Sequence, residues 1–292
     1  MTDISSPTTL PEQPSAMART CWLIANARSG STSDAATDAV LAALEAADIR
    51  IGGRSDFPDD ALPTVAELDQ ADVDLVVLFA GDGTINAACT ALADWDGHIL
   101  VLPGGTMNLL AKALHGDRTP EKIIAALPAA GAPVALPIVR AGEHRAYVGM
   151  ILGPASSWVH AREAARAGEW RRVLRAARHA WRRTFGRGIR LTGVPALAAP
   201  AQAVFVRPEA EHLGLFAVDA HDWRAIAELG WRWVRADWDR AEAVRDATAA
   251  RLGIRASRPA HALIDGEPIH LPPATPIEHA MSRAQFIATA PA

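Results

Sequence analysis

Hydrophobic residues in this 292-residue chain gather in short unbroken runs that end in glycine. Leu75 to Ala80 is apolar at every position, which predicts a strand buried on both faces. It stops at Gly81-Asp82-Gly83-Thr84, and Ile85 to Cys89 reads as the opening of a helix. The pattern then repeats. His98 to Leu102 is a second apolar run, Pro103-Gly104-Gly105-Thr106 a second glycine turn, and Met107 to Leu114 a second helix opening. A lone Gly-Asp-Gly turn fits a hairpin equally well. Its second copy favours strand–crossover–strand, because a glycine turn feeding a helix is how parallel strands are connected.

The same grammar extends to both sides. Residues 1–18 read as a flexible tail rich in Ser, Thr and Pro. Thr20 to Ala25 predicts a strand, followed by the turn Asn26 to Ser31 and an alanine-rich helix from Ser33 to Ala47. Ile49 to Gly52 predicts a short strand, Arg54-Ser55-Asp56 a loop, and Ala61 to Asp69 a helix. Residues 19–130 thus predict an α/β domain with an open, mostly parallel, Rossmann-like sheet. After a helix at Pro120 to Leu127 the character changes near Gly131, and residues 131–292 predict a β-rich second domain with helical insertions. Its expected strands are Ala132 to Arg140, Glu143 to Ile151, Ala201 to Arg207 and Gly214 to Asp219. Helices are expected at Trp223 to Arg235 and Arg240 to Arg251. Closing strands near Ala262, Pro268 to Pro273 and Gln285 to Thr289 rejoin the second or the first domain.

Composition narrows the function. Half the residues are apolar, enough for two cores, and a net charge of −4 argues against nucleic acid held by bulk charge. No apolar run reaches the roughly 18 residues of a spanning helix, and no signal-peptide pattern is present. Cys21 and Cys89 lack metal-type spacing and suit a reducing, cytoplasmic compartment. One stretch stands out. Between Arg162 and Arg190 ten arginines face Glu163 and Glu169, with Trp170 and Trp181 on an adjoining helical stripe. Such a helix packs on its own domain with a solvated arginine face, or lies on an anionic membrane surface.

The glycine loops suggest chemistry. At the carboxyl ends of parallel strands, small residues and helix N-termini offer backbone N–H groups to phosphate oxygens. Gly81, Gly83, Thr84, Gly104, Gly105, Thr106 and Asn108 are the candidate donors. Asn26, Ser29 and Gly30 either cap a helix or join them. Asp265-Gly266-Glu267 alone reads as a surface turn. The P-loop and GxGxxG patterns and a GxSxG elbow are all absent.

Together, Gly81-Asp82-Gly83-Thr84-Ile85-Asn86, Leu102-Pro103-Gly104-Gly105-Thr106-Met107-Asn108 and the late Asp265-Gly266-Glu267 resemble the diacylglycerol kinase and sphingosine kinase superfamily. NAD kinases and phosphofructokinases share the first loop more distantly. The resemblance implies an ATP- and Mg²⁺-dependent lipid kinase with its active site in an interdomain cleft. The second domain is then a β-sandwich facing a lipid such as diacylglycerol, and the protein a peripheral visitor to membranes. Glu267 or Asp82 is then the general base, Asp265 steadies the turn or a metal-bound water, and Ser55 faces the nucleotide. The chain departs from the pattern at Ala80, Ala87 and Leu109. It departs again at His212 and Phe216, where bacterial relatives carry two carboxylates that can bind a structural metal. A sphingosine- or ceramide-type kinase, and a binding protein that has lost catalysis, are the alternatives; a homodimer stays open.

Overall fold

The computed structural model describes residues 19–26, 32–153, 188–218 and 244–290. Ser29, Gly30, the expected tail, most of the arginine–tryptophan helix and the helix expected at Trp223 to Arg235 lie outside them. Four parallel strands, β1 (Thr20–Ala25), β2 (Arg50–Asp56), β3 (Leu75–Ala80) and β4 (His98–Pro103), stand in the order β2-β1-β3-β4. Between them run α1 (Asp34–Ala46), α2 (Val65–Gln70) and α3 (Asp82–Ala91), and after β4 come α4 (Leu109–His115) and α5 (Pro120–Ala125). Every residue of β3 is buried, as its unbroken apolar run requires of a strand covered on both faces. Alternate side chains divide two cores. Val76 and Leu78 pack with Ile85, Leu92 and Leu110 from α3 and its successors, whereas Val77 and Phe79 meet Val40 and Leu44 of α1 and Ile123 of α5.

Helix starts follow their capping residues. Ser33 accepts the Ala36 N–H at the head of α1, and Thr64 with Glu67 forms a complete capping box on α2. The loop expected at Arg54 to Asp56 is instead the end of β2. Gly53 leaves room for the Trp22 ring, whose nearest carbon would lie 2.4 Å from an added Cβ, and Trp22 Nε1 donates to Ser55 Oγ at 3.1 Å. Ser55 is therefore a buried partner of the Trp22 indole, 3% exposed.

Among the described residues eleven further strands follow α5: β5 (Val134–Ala141), β6 (His144–Ala146), β7 (Met150–Leu152), β8 (Leu191–Thr192), β9 (Ala203–Pro208), β10 (Leu213–Val218), β11 (Val244–Ala249), β12 (Arg251–Ile254), β13 (Ala260–Ile264), β14 (Glu267–Leu271) and β15 (Ile277–Phe286), of which the last joins the first sheet beside β4. The helix expected over Arg240 to Arg251 is overturned, since Val244–Ala249 pairs antiparallel with β10 along its whole length. A six-stranded sheet has the order β11-β10-β9-β7-β13-β14. The nine-stranded sheet continues from β4 through β15 to β12 and β8, with β5 and β6 attached along the other edge of β15. Strands after Gly131 are thus shared between both sheets. Among the described residues no helix is long and apolar enough to cross a membrane.

After β15 the chain is clamped to α4. Leu114 O accepts the N–H groups of Thr289 and Ala290, His115 Nδ1 lies 2.9 Å from Thr289 Oγ1, and Arg118 donates to Thr289 O. Burial pushes the His115 imidazole down from 6.5 to about 4. Between those values the unfolded chain binds a proton that the folded chain refuses, so stability falls as pH falls through that window, by up to about 3 kcal/mol. Urea unfolding at neutral and mildly acidic pH is expected to show a smaller acid loss in His115→Gln than in the wild type.

Candidate active site

The two glycine turns lie backbone against backbone. Gly104 N–H donates to Ala80 O at 3.1 Å, and a Cβ on Gly105 would stand 2.7 Å from Gly81 Cα. Only glycine permits that approach. Asp82, expected in a loop, is the first residue of α3, and its carboxylate accepts the N–H groups of Asn108 at 3.0 Å and Leu109 at 2.7 Å. It thereby caps α4 from the head of α3. The reason is local: Asn108, at φ 52°, is left-handed and turns its side chain back onto Gly105 N–H and O. Leu109, where the resemblance expects an acid, serves Asp82 through its backbone N–H.

The first hydrogen bond inside α3 runs from Ile85 N–H to Gly81 O at 3.0 Å. The N–H groups of Asp82, Gly83 and Thr84 precede it, so they point out of the helix end and favour an anion there. Asn26, at the end of β1, donates from Nδ2 to Thr84 Oγ1 at 2.8 Å, and Thr32 Oγ1 donates to Asn26 O. Thr106 sits exposed on the rim of the second turn. Asn26, Gly81, Gly83, Thr84, Gly104, Gly105, Thr106 and Asn108 therefore converge at one end of the sheet. Ser55 points into the core beside them.

The acidic turn between β13 and β14 comes to the same place. Glu267 is exposed, yet its Oε1 lies 2.7 Å from where a Cβ on Gly83 would be. Asp265, at φ 47° and 7% exposed, is the fastening. Its Oδ1 accepts from Val148 and Gly149 N–H at 3.0 and 2.9 Å, and its Oδ2 from Tyr147 N–H and Asn86 Nδ2 at 2.9 and 2.8 Å. Burial pushes this carboxyl above its ordinary value, and the four donors offset part of that rise. With both oxygens engaged by these four donors, the carboxylate holds the turn. Asn86 is the residue that motif reading passed over. It bridges Asp265 and Arg145 O, and its place one helical turn after Asp82 puts both on the same side of α3.

Replacing Gly83 with Ala separates shape from chemistry. Alanine suits a first helical turn at least as well as glycine, and the exposed Glu267 side chain can swing away from the new methyl. The variant is expected to unfold no more easily than wild type in urea, yet to lose whatever activity depends on Glu267 sitting there.

Where the resemblance places two metal-binding acids, the structure holds a different cluster. His212 Nε2 is 2.9 Å from Glu209 Oε2, Arg207 Nη2 is 2.9 Å from Glu209 Oε1, and the guanidinium lies 4.9 Å from the Phe216 ring centroid. A cationic side chain already meets the one carboxylate, so these residues do not fit a structural metal. Among the described residues no three His, Cys, Asp or Glu side chains gather as a metal site.

Paired glycine turns on an open α/β sheet are thus faced by an acid-bearing turn from a second sheet. Residues 20–141 match the model of the diacylglycerol kinase catalytic domain. Among solved structures, a diacylglycerol kinase from Bacillus anthracis superposes with a TM-score of 0.62 at 14% identity, over 94% of this chain and 98% of that one. Two proteins of the same bacterium described as candidate diacylglycerol kinases give TM-scores of 0.66 and 0.64 at 18% and 17% identity, with the same coverage. At such identities the likeness is one of fold. No curated protein matches the chain by sequence.

Proposed function

We propose that the protein is an ATP-dependent lipid kinase that moves the γ-phosphate to a hydroxyl of diacylglycerol or a related lipid. The observation that carries this reading is the seat of Glu267 against Gly83, at the helix end where the two glycine turns meet. Phosphoryl transfer asks a protein mainly to position phosphates, offset their charge and receive the acceptor's proton. The N–H groups heading α3 bind phosphate oxygens, with Thr84 and Thr106 adding hydroxyl donors. Asp82 ties the two turns into one cradle. Glu267 is exposed beside Gly83, so it is the carboxylate placed to take the hydroxyl proton as the bond to the γ-phosphorus forms and the bond from that phosphorus to ADP breaks.

Mg²⁺ bound with ATP would neutralise charge on the phosphates, and Asp82 and Glu267 are the side chains that would face it. A small octahedral cation carried by phosphates and water asks for no more than one or two carboxylates. The test is transfer of labelled γ-phosphate from ATP, with Mg²⁺, into diacylglycerol dispersed in micelles, set beside sphingosine and ceramide. A labelled phosphatidic acid that depends on both Asp82 and Glu267 supports the reading. Label in another lipid redirects the acceptor, and bound ATP with no labelled lipid replaces the kinase with a binding protein.

A further inference from the structure

A second ligand site lies away from the glycine turns, on the outer edge of the nine-stranded sheet. A cavity of about 820 Å³ opens between β8, β12 and residues 273–276, and a second of about 460 Å³ shares Thr192, Gly193 and Arg255 with it, so the two form one groove. Arg190, Arg251 and Arg255 line it, Thr192 and Ser257 add hydroxyls, and none of the lining residues among those described is Asp or Glu. In a chain whose net charge is −4, an acid-free groove with three guanidinium groups is a local reversal of sign.

The backbone sets this reversal. Arg255 N–H donates to Arg190 O at 2.9 Å, which brings those two arginines side by side at the end of the β8–β12 pair. Gly253 lets β8 approach, since a Cβ there would stand 2.7 Å from Thr192 Oγ1. Arg251 is partly spent on Glu278, at 3.2 Å, a carboxylate that Arg140 also holds. Among the described residues Arg190 and Arg255 enter no ion pair, so their charge faces the groove and solvent. The floor between them is apolar, with Leu252, Ile254 and Pro273 among its lining.

Cationic rim, hydroxyls and apolar floor match the head of an anionic phospholipid, whose phosphate meets guanidinium while its glycerol end meets carbon. We infer that this groove docks the protein on an anionic bilayer surface by taking phospholipid headgroups. Its position suits that role. Asn86 of α3 is bonded to Arg145 O in β6, and β6, β5, β15 and β12 are successive neighbours in the sheet. Three strand spacings, about 15 Å, thus separate the groove from the α3 side of the site. The groove lies on the same sheet that carries the glycine turns, apart from them.

The test is sedimentation of the full chain with phosphatidylcholine vesicles, with and without phosphatidylglycerol, in the absence of nucleotide, so that its result is independent of phosphate transfer. Wild type is compared with Arg190→Gln/Arg255→Gln and with Arg54→Gln/Arg283→Gln, which removes equal charge elsewhere. At about 1 kcal/mol for each arginine near a charged surface, the groove variant is expected to lose about 30-fold in binding to phosphatidylglycerol vesicles. The control is expected to lose no more than a few-fold, and raised salt to weaken the wild type toward the groove variant. Three outcomes overturn the inference: equal losses in both variants, wild-type binding indifferent to phosphatidylglycerol, or release from vesicles by soluble glycerol phosphate at low concentration. The last would make the groove a site for free phosphate esters.

Discussion

Changing Glu267 to Gln is expected to lower turnover in lipid phosphorylation by about 10²- to 10⁴-fold, the range a positioned general base supplies. The substitution keeps size and shape and removes only the capacity to accept a proton. Glu267 is exposed, so unfolding in urea should move by no more than about 0.5 kcal/mol, as for most surface changes. Phosphate binding rests on backbone N–H groups, and KM for ATP should therefore change far less than kcat. Steady-state kinetics on the folded variant checks both. A kcat within threefold of wild type would move the proton to another acceptor, and Asp82 is the carboxylate left at the site.

Asp265→Ala acts on the same hairpin from beneath and is expected to cost about 3–5 kcal/mol of stability. It strips one carboxylate from three backbone N–H groups and the Asn86 amide, most of them buried, and each orphaned donor carries its own desolvation penalty. Against a typical total of about 5–15 kcal/mol that is a large share. Asp265→Asn should be milder, because asparagine keeps one acceptor oxygen and tolerates the left-handed backbone. Denaturant midpoints for the two variants test the order. If the alanine variant unfolds within about 1 kcal/mol of wild type, the carboxylate is not what fastens the turn.

What could be read from residues alone divides by range. The strand–glycine–helix units at Gly81 and Gly104 were legible because a buried run, a turn and a helix head are neighbours in sequence. Arg240 to Arg251 misled because alanine and arginine favour helix, while Val244–Ala249 takes its conformation from pairing with β10. Ser55 misled for a similar reason. Glycines beside it suggested a loop, but β1 supplies a parallel partner and Trp22 a hydrogen bond. The true weight of Asp265 was hidden, since its donors at Tyr147, Val148 and Gly149 lie more than a hundred positions earlier. Asn86 gave a fainter sign, its helical spacing from Asp82, visible only once the helix is known to begin at Asp82.

The placing of β15 has a consequence for how the chain is made. β4 leaves the ribosome long before Gln285 and Phe286, which pair with its first residues, and β5 waits equally for the same strand. Until then the central sheet has an open edge with apolar side chains behind it, the kind of edge that recruits other chains. Contacts so distant in sequence close slowly. The nascent protein thus spends most of its synthesis with the glycine turns present but their sheet unfinished, and that interval is when the open edge is exposed to wrong pairing.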